Sequence, residues 1–145
     1  MRRRALVALI GAGCVSVGLV GCGSSSGIAG SPPLQEANGH TIMVAAEYPN
    51  AVMEALVTGT LTLTDGGCFA IEAGEAGEST ASPVEFPFGS RLSADGESLD
   101  VPGLGSLGAG DAVEGSGGYL SISAPPPACR TDNTYDEYAI WQTVG

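Results

Sequence analysis

One histidine, 16 carboxylates and no lysine limit the chemistry open to this 145-residue chain. General-base and nucleophilic mechanisms near neutral pH draw on His, Lys or a thiolate. His40 is the only imidazole, and it borders a Gly, Ser and Pro-rich stretch where nothing in the sequence would orient it. There is no Gly-x-Ser-x-Gly elbow. Cys68 and Cys129 stand far apart with no Cys-x-x-Cys, and one histidine does not complete a tetrahedral zinc shell with them unless carboxylates join. A pair of carboxylates is the economical catalytic route that is left. The densest set of oxygen ligands is Asp132, Asn133, Asp136 and Glu137, a composition suited to calcium. It does not follow the EF-hand spacing, and solvated surface acidity explains it equally well. Gly103 to Gly108 formally matches Gly-x-Gly-x-x-Gly, but dinucleotide binding needs a helix to begin there. The glycine-rich residues that follow do not favour one, so a loop is expected. No cofactor and no metal are assigned.

The amino-terminal end carries a different kind of site. Arg2, Arg3 and Arg4 precede an uncharged stretch from Ala5 to Val20, which ends in Leu19-Val20-Gly21-Cys22. This arrangement resembles the lipobox of bacterial lipoproteins. The resemblance implies a signal peptide over residues 1–21, a diacylglycerol on the Cys22 thiol, cleavage before Cys22, and an acyl chain such as palmitate on the new terminus. The basic start would stay cytoplasmic while the apolar run enters the bilayer. The run is shorter than the ~20 residues a spanning helix needs, and glycines interrupt it. The protein is therefore expected on the extracytoplasmic face of the cell membrane, held through lipid on Cys22.

After such cleavage 124 residues remain, enough for one modest domain. Only Arg91 and Arg130 then oppose 16 acids, a formal charge of −14. Nucleic acid is excluded as a partner, since its phosphates require Lys and Arg. Electrostatic adhesion to anionic lipid is excluded for the same reason. Solubility explains the charge more simply than a specific cationic partner. Cys14 would leave with the signal and Cys22 would carry lipid. Cys68 and Cys129 would then be an even pair in an oxidising compartment, so a disulfide is expected. Closing that loop stabilises a domain by about 4 kcal/mol in the chain-entropy model.

The elements that must position these residues read as short strands. Residues 22–39 are expected to be a flexible tether and residues 40–145 the domain. Thr41 to Ala46 suits a strand, and a short helix after Asn50 competes with a strand over Glu54 to Thr64, which alternation of Leu61 and Leu63 with threonines favours. Asp65-Gly66-Gly67 is a hairpin turn leading into a return strand from Cys68 to Ala73. Val84, Phe86 and Phe88 suggest an edge strand, because Pro87 has no N–H for a ladder. A turn at Asp95-Gly96-Glu97 precedes a strand around Leu99 and Val101. Ala112–Glu114 and Tyr119–Ser123 are expected as separate strands flanking Gly115 to Gly118, and Tyr138 to Val144 as the last strand. Trp141, offset from the Tyr138 and Ile140 face, is a candidate outward contact residue, whereas most other aromatics are expected in the core. The sum is an all-β fold, a small barrel or sandwich of antiparallel strands with one disulfide.

The strings GTLTLTDGGCFAIE, PVEFPFG and GAGDAVEGSGGY, followed by a later cysteine, resemble uncharacterised secreted or lipidated β domains of actinomycetes. The resemblance covers about residues 57–130 and implies a β domain without a known activity. The expected role is a non-enzymatic binding or assembly module at the cell envelope, with an envelope protein or a small molecule as its unidentified ligand. An envelope hydrolase using a carboxylate pair, or a calcium-dependent binding module, is the alternative.

Overall fold

The computed structural model describes residues 32–74, 80–121, 125–131 and 137–144, with side-chain surroundings as far as Gln142. Cys22 and the signal segment lie outside these residues, as do Asp132, Asn133 and Asp136. The described residues form ten strands: β1 (Leu34–Ala37), β2 (His40–Val44), β3 (Ala55–Leu63), β4 (Phe69–Ala73), β5 (Thr80–Phe86), β6 (Arg91–Leu92), β7 (Ser98–Val101), β8 (Gly105–Gly108), β9 (Ala112–Ser121) and β10 (Glu137–Val144). A 3-10 turn, Pro127–Cys129, precedes β10. No helix among the described residues is long and apolar enough to cross a membrane.

Strands β5, β10, β9, β3 and β4 hydrogen-bond in that order, and β4 returns to β5, so five strands close a barrel. Closure removes the exposed edges that so short a chain could not otherwise cover. The period-2 alternation of each strand sends one set of side chains inward. Val57, Leu61, Phe69, Ile71, Val84, Phe86, Val113, Ala139 and Trp141 meet there as one buried cluster. Strands β1 and β2 extend the sheet from β5, and the small sheet β6-β7-β8 adds Leu99 and Val101 to the same core. Cys68 and Cys129 are bonded, with Cα atoms 4.9 Å apart, so the disulfide ties the β3–β4 hairpin to the segment before β10.

Several expectations need correction. The segment assigned to the carboxyl-terminal part of the tether is folded: β1 pairs with β2 around a two-residue turn, Asn38-Gly39. Both turn residues have positive φ, 49° and 85°, as a primed hairpin turn requires. The Gln35 amide seals β1 to the small sheet, donating to the Ser90 carbonyl at 2.9 Å and accepting from the Leu92 N–H at 2.9 Å. Strand β5 is not an edge: it pairs with β4 and β2 along its length and with β10 on its other side. Pro87 lies just past its end, where a missing N–H costs no ladder bond, and the Phe86 carbonyl still accepts from Ala45 N–H at 2.9 Å. No helix follows Asn50; residues 50–54 reach β3 without regular structure.

Two glycine-rich segments expected as loops are strands. Gly105–Gly108 pairs with β7, placing Leu107 opposite Leu99, and the chain continues into β9 and not into a helix. Gly115 to Gly118 do not interrupt a pair of strands; they form the middle of the ten-residue β9. The reason is close approach. A Cβ on Gly117 would collide with the Ile140 carbonyl, and one on Gly118 with the Met53 side chain. Trp141 is buried, 1% exposed, and is not an outward contact residue. The β10 strand is covered on both faces, and a bulge between Trp141 and Thr143 shifts its register against β9.

Candidate functional site

Strand β10 carries two buried stripes with different surroundings. Ala139 and Trp141 point into the barrel. Tyr138 and Ile140 point outward into a second cluster with Met43, Cys68, Cys129, Met53 and Ala128. Glu85 belongs to this outer face, because Val84 and Phe86 on either side of it are inward and fully buried. Its register partners are Met43 on β2 and Ile140 on β10. A carboxylate is thus set between two apolar neighbours on the wall of the barrel, half-buried.

The segment after β2 crosses the outer wall above it. Gln142 ties this crossing down: its Oε1 accepts from the Met53 N–H at 2.6 Å and its Nε2 donates to the Ala51 carbonyl at 3.4 Å. Met53 rests on Gly118, whose missing side chain leaves it room. Between this strap and the barrel lies a cleft of about 210 Å³, lined by Ala45, Ala46, Glu47, Pro49, Glu85, Pro87, Phe88, Ile140, Trp141 and Gln142. At its rim Tyr48 stands 73% exposed, packed on Phe88 with ring centroids 4.7 Å apart.

Electrostatically the cleft is one-sided. Glu47 and Glu85 are its charged lining residues, and no Lys, Arg or His joins them. Burial pushes the Glu85 carboxyl above its ordinary value, since the charged form loses water without gaining a partner. Burial, followed by the Glu85 charge, likewise raises the Tyr138 phenol. No side chain among the described residues hydrogen-bonds or ion-pairs with Glu85. Such a site can hold a group that brings positive charge and an apolar stem.

A second depression, about 600 Å³, lies beside the disulfide and is lined by Thr62, Thr64, Asp65, Glu72, Arg130 and Thr131 among others. It is wider, more open and more polar. There Thr64 secures the pinned hairpin: its hydroxyl donates to the Ala128 carbonyl at 2.6 Å and accepts from the Cys68 N–H at 3.0 Å.

The residues singled out in the sequence are placed as follows. Cys68 and Cys129 are structural. His40 is not unoriented: its Nδ1–H donates to the Gly96 carbonyl at 2.8 Å and its ring meets Phe69 edge-on. It packs the β1–β2 hairpin onto the Asp95-Gly96 turn and lines neither cleft. Of the acidic quartet, Glu137 opens β10 opposite Ser121, and its three companions lie outside the described residues. Among the described residues no group of three or more His, Cys, Asp or Glu is arranged to hold a metal ion. Sequence reading missed Glu85 and Gln142. The available signal for Glu85 was a lone acid between two inward apolar residues, flanked by Pro83 and Pro87. Comparison with known proteins finds no matching family model, no similar curated protein and no similar solved structure.

Proposed function

We infer that the protein is a lipid-anchored lipoprotein on the extracytoplasmic face of the cell membrane, serving there as a non-enzymatic binding or assembly module. The observation that carries this reading is Leu19-Val20-Gly21-Cys22 at the end of an uncharged run behind three arginines. The disulfide between Cys68 and Cys129 is in keeping with an oxidising compartment. The cleft supports binding over catalysis: its lining contains no His, Lys or thiol to activate a nucleophile. Replacing Cys22 by Ala should abolish lipid incorporation and shift the protein out of the membrane fraction. An unmodified Cys22 in mature protein extracted from membranes, seen by intact mass, would sink the anchoring claim.

One observation favours the hydrolase alternative enough to test it. Glu47 and Glu85 share a cleft, and one of the two is held up in its titration, as a general acid would be. Detergent-solubilised mature protein should nevertheless show no turnover across ester, peptide and glycoside substrates. Turnover that disappears in both Glu47→Gln and Glu85→Gln would replace the binding module with an enzyme.

A further inference from the structure

Glu85 is a half-buried acid set on an apolar part of the outer wall. It sits on a strand paired on both sides, which fixes where its side chain emerges. Met43 and Ile140 flank it and are nearly fully buried. Carboxylates in such surroundings are ordinarily matched by a cation or by hydrogen bonds, and the described part of this chain supplies neither. The two arginines beyond the signal segment, Arg91 and Arg130, do not line the cleft. A cation from outside that displaced the water on its exposed side would recover what burial costs the charged form.

We propose that the cleft between Ala45–Pro49, Glu85–Phe88 and Ile140–Gln142 takes a single basic side chain, lysine or arginine, presented by a partner protein. Three features set this occupant. The volume of about 210 Å³ is below the ~300–1,000 Å³ of small-molecule pockets, and suits one inserted side chain. The walls are apolar, with Pro49, Pro87, Phe88 and Ile140 positioned to cover an aliphatic stem, while Glu85 and Glu47 receive its charged head. The exposed Tyr48 ring, braced on Phe88, offers an aromatic face to the same cation at the entrance. The strong negative charge of the chain would steer a basic partner toward this face. This deepens the binding-module reading and rests on it.

The Trp141 ring lies in the barrel, so occupancy is read from backbone amide shifts of the three cleft segments. The test titrates the full mature protein, in detergent micelles, with blocked Gly-Lys-Gly and Gly-Arg-Gly peptides, a norleucine control of equal length, and n-butylammonium. The basic peptides should give saturable amide shifts confined to the three cleft segments. Glu85→Gln should weaken that binding at least about tenfold, the scale of a lost hydrogen bond to a charged group. Tyr48→Ala, on an exposed ring that does not hold the fold, should weaken it about two- to fivefold. The proposal fails if the norleucine peptide binds equally, if Glu85→Gln binds like the wild type, or if no cleft shift saturates. Butylammonium binding as tightly as the peptides would make this a small-cation site and overturn the partner assignment. A concentration-dependent dimer abolished by Glu85→Gln would overturn it in favour of a second copy of this chain. Failure of the titration leaves membrane anchoring through Cys22 standing, and loss of anchoring leaves the titration standing, so the two are distinguishable.

Discussion

The two faces of β10 use buried side chains for different ends. Inward, Ala139 and Trp141 pack in the apolar core, with Phe86 and Trp141 ring centroids 6.1 Å apart. Outward, Tyr138 and Ile140 lie in a cluster that a disulfide closes at one end and a carboxylate interrupts at the other. A closed barrel interior has no route for a ligand, so its composition is settled by packing. The outer wall is covered by the Ala45–Glu54 strap, which leaves a gap, and the half-buried Glu85 carboxyl lines that gap. The contrast separates the residues that make this fold from those it can use.

That division can be broken or sharpened by substitution. Trp141→Ala empties the interior and should cost about 3–5 kcal/mol in urea unfolding; a loss under about 1 kcal/mol would mean the inner cluster is not the main core. Removing the disulfide with Cys68→Ala and Cys129→Ala together should cost about 4 kcal/mol, read as a lower urea midpoint than oxidised wild type. If reduction of the wild type leaves the midpoint unchanged, the outer cluster contributes packing alone. Gly118→Ala pushes Met53 off the wall and should cost about 1–3 kcal/mol. Its more telling signature is faster amide exchange over Ala51–Glu54 with the barrel strands unaffected. Gln142→Ala leaves the Met53 N–H without its acceptor and should cost about 1 kcal/mol, with the same local exchange pattern on a smaller scale.

What the sequence made legible was local. The Leu61 and Leu63 alternation, the Asp65-Gly66-Gly67 turn, the Phe69 and Ile71 face and the final strand each need only neighbours in sequence to be read. The disulfide was expected from an even cysteine pair under the lipobox resemblance, and Cys68 and Cys129 are bonded. Asn38-Gly39 was an equally local hairpin signal, but Leu34 to Ala37 offer little to bury, so β1 looked like tether. It is held by pairing with β2 and by Gln35 reaching Ser90 and Leu92, contacts more than 50 residues away in sequence. The Gly115–Gly118 run looked like a break because glycine weakens isolated strands; here Met53 and Ile140 occupy the space its side chains would need. Trp141 looked outward because the Tyr138 and Ile140 face was read as the core side; both faces of β10 are buried, and Trp141 lies on the barrel side. The cleft was not legible at all. It is assembled from three segments that meet only when the barrel closes, and its key acid resembles any solvated strand residue until Met43 and Ile140 flank it.

The central claim is that Glu85 is a desolvated carboxylate awaiting an external cation. Its folded titration point lies above the ordinary 4.5, so the native state holds its proton to higher pH than the unfolded chain does. Stability therefore falls as pH rises from the unfolded value through the folded one, and Glu85→Gln should remove that fall. The groups bearing on it are Tyr138 of β10, whose phenol it influences, and Glu47 of the strap, which shares the cleft. The most direct measurement is a carbon-detected NMR titration of the Glu85 carboxyl, with and without saturating blocked Gly-Lys-Gly peptide. The account predicts a midpoint above the ordinary glutamate value in the free protein and a clear drop on adding peptide. An ordinary Glu85 midpoint, or a raised one that the peptide leaves in place, would contradict it.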